Sequence, residues 1–182
     1  MGNVMKEFIL KHKNRFIMAL VIIVGVVLDQ ISKILVVDNL SFIQEKGSIV
    51  LIKRILNLTY TENDGAAFGM LDDHRWIFMT VSVIAIIGIG IYLFAFCKEN
   101  LVFQAGLALI VSGGIGNMID RIAYGYVVDM LEFDFMEFAI FNVADSFVCI
   151  GAGLVLLVLI IEIINDSKKQ KAQKEAENNE NN

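Results

Sequence analysis

Charged residues are scarce in this chain of 182 residues: 19% are Asp, Glu, Lys or Arg, and 57% are hydrophobic. Mean hydropathy is +0.67. Soluble domains carry about 25% charged residues, so the shortfall argues against an ordinary soluble domain and for a membrane protein. The net charge of −5 says little alone, because the charge is unevenly placed. The length is that of one domain. Cysteine is nearly absent. Cys97 and Cys149 both lie in apolar runs without C-x-x-C spacing, which excludes a disulfide or zinc framework and leaves two small buried hydrophobes. Proline is missing altogether, and nothing in the sequence accounts for that.

What is present is apolar length. A helix needs about 20 apolar residues to cross a bilayer, and four segments qualify: Phe16–Val37, Trp76–Phe96, Leu101–Met118 and Val143–Ile161. Isolated strands would leave backbone groups unpaired in lipid, so these segments span as helices. Lys and Arg mark the cytoplasmic side. The N-terminal flank has Lys6, Lys11, Lys13 and Arg15, the link between spans two and three has Lys98, and the tail has Lys168, Lys169, Lys171 and Lys174. The remaining two loops carry fewer: Lys46, Lys53, Arg54, Arg75 and Arg121. Both termini are therefore expected in the cytoplasm, with loops 38–75 and 119–142 outside.

Residues 1–165 read as one four-span domain. The tail 166–182, DSKKQKAQKEAENNENN, is polar and of low complexity, and is expected to be a disordered cytoplasmic extension. The first span is too long for a cleaved signal peptide and is interrupted by Asp29 and Lys33. The start MGNVMK lacks the Ser or Thr of a myristoylation site. In the outer loops, IVLIKRILNLTYTE (49–62) is rich in β-branched and aromatic residues, and EFDF with MEF (132–138) alternates acid and apolar. Both predict strands of a small sheet on the outer membrane face. Asn57-Leu58-Thr59 matches a glycosylation sequon, a triplet common by chance.

Polar residues within the apolar segments carry the functional signal. Asp29 and Lys33 are spaced i, i+4 and can pair on one helix face. In a bilayer such a pair faces the bundle interior, either fixing helix packing or supporting a site. Ser112 and Gly116 form a small-xxx-small pair suited to close helix approach. GIGNMI lacks the third Gly of a dinucleotide fingerprint and follows no strand, which excludes that reading. Asn117 and Arg121 again share a face. The 63–69 stretch NDGAAFG is a turn by composition. His74 lies beside Asp72 and Asp73, and His12 falls on the other side of the membrane, so no metal ligand set forms.

Asn142 suits a helix N-cap, which puts Asp145 at N3, where a carboxylate complements the helix end. Asp129 lies in an apolar Val-Val-Asp-Met setting and reads as a buried acid satisfied by a partner such as Arg121. Joined, the two do more. Carboxylates brought within a few Å cannot both ionise easily, so one keeps a proton. Such a pair can hydrolyse an amide: the ionised member takes a proton from water and the protonated member polarises the carbonyl. The helix end favours Asp145 as base and leaves Asp129 as acid.

Four blocks then resemble a known family: DQISK (29–33), NDGAAFG (63–69), GGIGNMIDRIAYGYVVDML (113–131) and FNVADS (141–146). In this order, in a four-span chain, they are similar to lipoprotein signal peptidase, also called signal peptidase II, a bacterial membrane aspartyl protease. The resemblance implies four transmembrane helices with a small extracytoplasmic β-cradle. It implies removal of the signal peptide from prolipoproteins, cut on the N-terminal side of a diacylglyceryl-modified cysteine. It assigns catalysis to Asp129 and Asp145, and site support or substrate binding to Asp29, Lys33, Asn63, Gly113, Asn117, Arg121 and Asn142. No metal or other cofactor and no nucleic-acid partner is expected. The partners are the prolipoprotein and membrane lipid, and the enzyme is expected to act as a monomer in the cytoplasmic membrane. Met130 stands where the family more often has an aromatic or bulkier residue. A small ion- or proton-coupled transporter is the competing reading, because Asp29 and Lys33 lie inside a span. Against it, no discontinuous repeat is visible.

Overall fold

The computed structural model describes residues 12–40, 48–64, 75–98 and 100–180. Lys6, Lys11, Lys46, residues 65–69 of the NDGAAFG block, Asp72, Asp73 and His74 lie outside the described residues. The elements run α1 Lys13–Leu40, β1 Ile49–Ile52, β2 Leu56–Asn63, α2 Arg75–Ile91, α3 Leu101–Ala123, β3 Val127–Phe133 and α4 Val143–Glu180. One π-helical segment, Tyr92–Phe96, prolongs α2.

Each expected span is helical, the second including the π-helical segment, and among the described residues four helices are long and apolar enough to cross a membrane. Their outward surfaces are aliphatic: Leu20, Ile23, Ile34, Ile84, Ile87, Ile160 and Ile163 are all about half exposed or more. In water such faces would have to be covered; in lipid they need no partner. Cys149 belongs to this set, since it is exposed on α4. It is an apolar residue as expected, but not a buried one, because lipid rather than protein surrounds that face.

The central helix is α3, on which α1, α2 and α4 all pack. Small residues allow it. A Cβ added to Gly106 would meet the Gly151 carbonyl oxygen at 2.8 Å, and one on Gly113 would collide with the Ala144 carbonyl oxygen. These two glycines set the α3–α4 approach. On the adjoining face, Ser112 and Gly116 meet α1: Ser112 Oγ donates to the Ile22 carbonyl at 3.3 Å, and a Cβ on Gly116 would sit 2.5 Å from Asp29 Oδ2. The small-xxx-small pair thus serves the α1–α3 contact, where close packing and hydrogen bonds replace the missing hydrophobic drive.

Asn100 caps α3 by accepting from Phe103 N at 2.9 Å. The helix is left through Tyr124-Gly125-Tyr126, with Gly125 at φ 89°, a conformation that suits glycine. The chain then enters an antiparallel sheet of order β1-β2-β3. The third strand begins at Val127 rather than near 132 as the acid–apolar alternation suggested. Pairing with β2 through Asn63↔Val127 and Thr61↔Asp129 draws in the mostly apolar VVDML stretch that precedes the alternation. Residues 134–140 form no strand. Register shifts by one residue between Leu58 and Thr61, a bulge beside Asp129 of the kind that re-aims side chains near sites. Met130, 2% exposed, packs with Val36 and Leu40 and docks the sheet on the end of α1. Asn57 is buried in β2, so the sequon is not displayed.

The structure differs from expectation in the tail. It continues α4 through the polar residues to Glu180. Lys, Gln, Ala and Glu are good helix formers, and extending an existing helix avoids the nucleation cost.

Candidate active site

The site forms where α1, α3 and α4 end against the sheet. Asp29 is fully buried and Lys33 is 3% exposed. Charges so placed lose several kcal/mol of hydration each, on the order of the attraction between them, unless further hydrogen bonds satisfy them. Those bonds are present. Lys33 Nζ lies 2.9 Å from Asp29 Oδ2, 2.8 Å from Asp120 Oδ2 and donates to Asn117 Oδ1 at 3.0 Å, one acceptor for each of its three hydrogens. Gln30 Nε2 donates to Asp120 Oδ1 at 2.9 Å and reaches Asp29 Oδ2 and the Gly116 carbonyl, both at 3.2 Å. Asp29 Oδ1 accepts from Ala144 N at 2.9 Å, which satisfies one orphan donor in the first turn of α4. One polar cluster therefore joins three helices.

The two candidate carboxylates meet at Asn142. This residue caps α4 as expected: its Oδ1 accepts from Asp145 N at 2.9 Å, and its own N–H donates to Asp145 Oδ2 at 3.1 Å. The arrangement is a capping box with Asp at N3. The same side chain donates from Nδ2 to Asp129 Oδ1 at 2.7 Å. Asn142 is fully buried, so it fixes both acids relative to each other. The other oxygens are taken by neighbours. Asn117 Nδ2 donates to Asp145 Oδ1 at 2.7 Å, and Asn63 Nδ2 donates to Asp129 Oδ2 at 2.8 Å. Lys33 and Asn142 both donate to Asn117 Oδ1, which forces the Asn117 amide to turn its N–H toward Asp145.

Burial holds Asp129 well above the ordinary carboxylate range, at about 6. The nearby Asp145 carboxylate raises it further, while the bonds from Asn63 and Asn142 and the Lys33 charge pull it down. Desolvation wins because Asp129 is 2% exposed, and a buried anion costs more than two amide donors return.

Of the residues singled out in the sequence, Asp29, Lys33, Asn63, Asn117, Asn142, Asp129 and Asp145 join this one network. Gly113 stands beside it and lets the first turn of α4 approach α3. Asp129 is held by Asn63 and Asn142, where the sequence suggested Arg121; the half-buried Arg121 guanidinium donates to the Asn117 carbonyl at 3.3 Å. Sequence reasoning missed Gln30 and Asp120. Asp120 is 1% exposed and accepts from Val128 N at 3.2 Å, pinning β3 one residue before Asp129. Its signal was present: a buried Lys needs three acceptors, and Asp120 follows Asn117 by three residues on the same helix.

Comparison with known proteins now becomes decisive. A family profile described as signal peptidase (SPase) II matches residues 21–161. The chain belongs to the signal peptidase II family. Two relatives named lipoprotein signal peptidase, from Streptococcus pyogenes serotype M2 (strain MGAS10270) and serotype M1, are each 43% identical over 146 residues, covering 80% of this chain and 92% of theirs. A solved structure described as a bacterial membrane enzyme, at 2.3 Å resolution, superposes with TM-score 0.72 at 30% identity, over 81% of this chain and 90% of that one. A second, at 1.9 Å, gives TM-score 0.70 at 30% identity over 78% and 91%. Family membership makes this chain a protease, and with its four apolar helices a multi-pass membrane protein.

Proposed function

We propose that this protein removes signal peptides from prolipoproteins, cutting on the N-terminal side of the diacylglyceryl-modified cysteine, with Asp129 and Asp145 as an aspartic dyad. The observation that carries the reading is Asn142, one buried residue hydrogen-bonded to both carboxylates. Asp145, at the first turn of α4 with donors from Asn117 and Asn142, is the ionised base. Asp129, with its raised pKa, is the acid. Water held between them loses a proton to Asp145 as its oxygen adds to the scissile carbonyl, whose oxygen takes the Asp129 proton. The diol collapses with cleavage of the C–N bond. The leaving amine takes the proton from Asp145, and Asp129 recovers its own from the diol hydroxyl. No cofactor enters this sequence.

The remaining polar residues support the dyad: Lys33 and Asn142 orient Asn117, Asn63 holds Asp129, and Asp29 ties α1 to the helix that carries Asp145. Arg121 and Gly113 shape the same corner. In this reading both termini are cytoplasmic and the sheet and dyad face outward at the cytoplasmic membrane. There a substrate's signal helix lies in lipid, its acyl chains in the outer leaflet and its scissile bond at the interface. Residues 1–165 form the peptidase, which acts as a monomer, and 166–182 form a cytoplasmic extension. The saturated bonding of Asp29 and Lys33 gives a transporter reading no free ion site at that pair.

Cleavage of a diacylglyceryl lipopeptide, with chelator present, tests the proposal. Wild-type cleavage that survives chelation and is lost in both Asp129→Asn and Asp145→Asn is the expected result. Cleavage by either variant near the wild-type rate, or its loss on chelation, rules out the dyad.

A further inference from the structure

At the end of the sheet remote from Asn63, the chain forms an open groove of about 940 Å³ lined by Asn57, Glu132, Phe133, Asp134, Phe135, Met136, Glu137, Phe138 and Ala139. The dyad does not use it. Phe133 anchors it, with ring centroids 5.3 Å from Phe135, 5.7 Å from Phe138 and 5.1 Å from Phe141. Phe135, Met136 and Phe138 nevertheless remain 61%, 45% and 50% exposed, so the cluster presents an apolar face. Glu132, Asp134 and Glu137 stand among these rings, and no ion pair among the described residues involves them. Lys53 and Arg54, at the nearby turn, do not line the groove.

Asn57 supplies an independent observation. It lines the groove and is 9% exposed. Its Nδ2 donates to Asp134 Oδ1 at 3.3 Å, but its Oδ1 has no hydrogen-bond partner. A buried acceptor left unpaired is unfavourable and calls for an explanation. The atom is itself covered, so an arriving N–H donor would meet it only after the Asn57 side chain turns toward the groove. Three carboxylates without an ion-pair partner among the described residues and exposed aromatic faces together suit a cationic, partly apolar chain: ammonium or guanidinium groups pair with the acids and lie over the rings.

We infer that this groove binds a Lys- or Arg-containing segment of the substrate downstream of the lipidated cysteine. The inference rests on the peptidase reading above. Phe133 lies four residues beyond Asp129 along β3, about 13 Å at the rise of a strand. An extended substrate covers roughly 3.3–3.6 Å per residue, so about the fourth to eighth residues after the cut reach the groove. The same acids disfavour the alternative occupants. Anionic head groups would be repelled, and a second copy would bring like charges together.

Two lipopeptides with identical signal and lipidated segments test this, one with lysines at the fourth to eighth positions after the cut and one with glutamines. The lysine form should show a KM about fivefold lower at low salt, the size expected of a few exposed ion pairs, with kcat unchanged and the advantage shrinking as salt rises. Glu132→Gln with Glu137→Gln should erase the difference while leaving cleavage of the glutamine form intact. Equal KM values for the two peptides in the wild type, with both cleaved, would overturn the groove and leave the peptidase reading standing; cleavage of neither would overturn the peptidase reading. A Phe135→Trp reporter, with the single native tryptophan Trp76 replaced by Phe, adds a second readout in vesicles. Fluorescence that shifts with a soluble Lys-rich peptide supports the groove. Quenching by brominated lipid with no response to peptide shows that the face lies in the membrane instead.

Discussion

Asp129 and Asp145 are both carboxylates, and what distinguishes them is where the chain puts them. Asp145 ends in a helix first turn with two donors on its oxygens. Asp129 sits in a strand with buried residues on either side. Because burial raises the Asp129 pKa to about 6, its folded-state value lies above the unfolded one, and the protonated form is the one that folding favours. Stability linked to Asp129 is therefore greatest below about pH 4 and is lost as pH rises to about 6, by roughly 2–3 kcal/mol. Asp129→Asn should be inactive yet more stable than wild type at pH 7.5, by up to that amount, with little gain at pH 4; thermal unfolding in detergent at the two pH values measures it. Wild-type cleavage should likewise decline as pH rises through about 6, when the acid loses its proton. A rate that climbs steadily across that range contradicts the assignment of Asp129 as acid.

Among the elements, the glycines separate by what lies opposite them. Gly113 faces the Ala144 backbone, whereas Gly88 has open space where a Cβ would be. Composition and hydropathy show both as glycines in apolar runs; the family resemblance singles out Gly113, and the packing gives the physical reason. Gly113→Ala should push α4 away from α3 and displace Asn142 and Asp145, lowering both melting temperature and cleavage. Gly88→Ala should leave cleavage unchanged and stabilise α2 by about 0.5–1 kcal/mol through helix propensity. Equal effects of the two substitutions would mean that the α3–α4 approach is set elsewhere. The strand ends show the same limit. Alternation of acid and apolar residues placed β3 too late, because β2 also pairs with Val127, Val128 and Asp129 ahead of that alternation, a choice made by the partner strand.

At the scale of the whole molecule, the buried ion cluster is the joint between helices distant in sequence. Lys33 bridges Asp29 of α1 with Asp120 and Asn117 of α3. Lys33→Met removes the cation and leaves two buried carboxylates, so it should lower stability by about 3–5 kcal/mol and abolish cleavage; retention of the wild-type melting temperature would show that the cluster is not the joint. The extension beyond Asn165 is the opposite case. Its residues 166–175 are exposed along the helix and remote in sequence from the dyad. Truncation after Asn165 should leave kcat and KM within about twofold, well under the tenfold that 1.4 kcal/mol represents. A large loss would assign that tail a part in the enzyme.

Much was determined by the sequence alone. Hydrophobic length and scarce charge determine four membrane helices, because the bilayer requires about 20 apolar residues of each span. Local spacing predicts the Asp29–Lys33 pair and the Asn142 cap, because a helix turn brings i, i+3 and i+4 together. Only the tertiary structure decided that Asn142 reaches Asp129 as well as Asp145, that Lys33 has Asp120 as a second anion, that Gln30 joins the cluster, and that Arg121 bonds its own helix. These depend on how three helices and a strand converge, a geometry set by close packing at Gly106, Gly113 and Gly116 rather than by any one segment. Hydrogen bonds across 66 to 115 residues of chain carry no local signal, and it is these bonds that gather scattered Asn and Asp residues into one site.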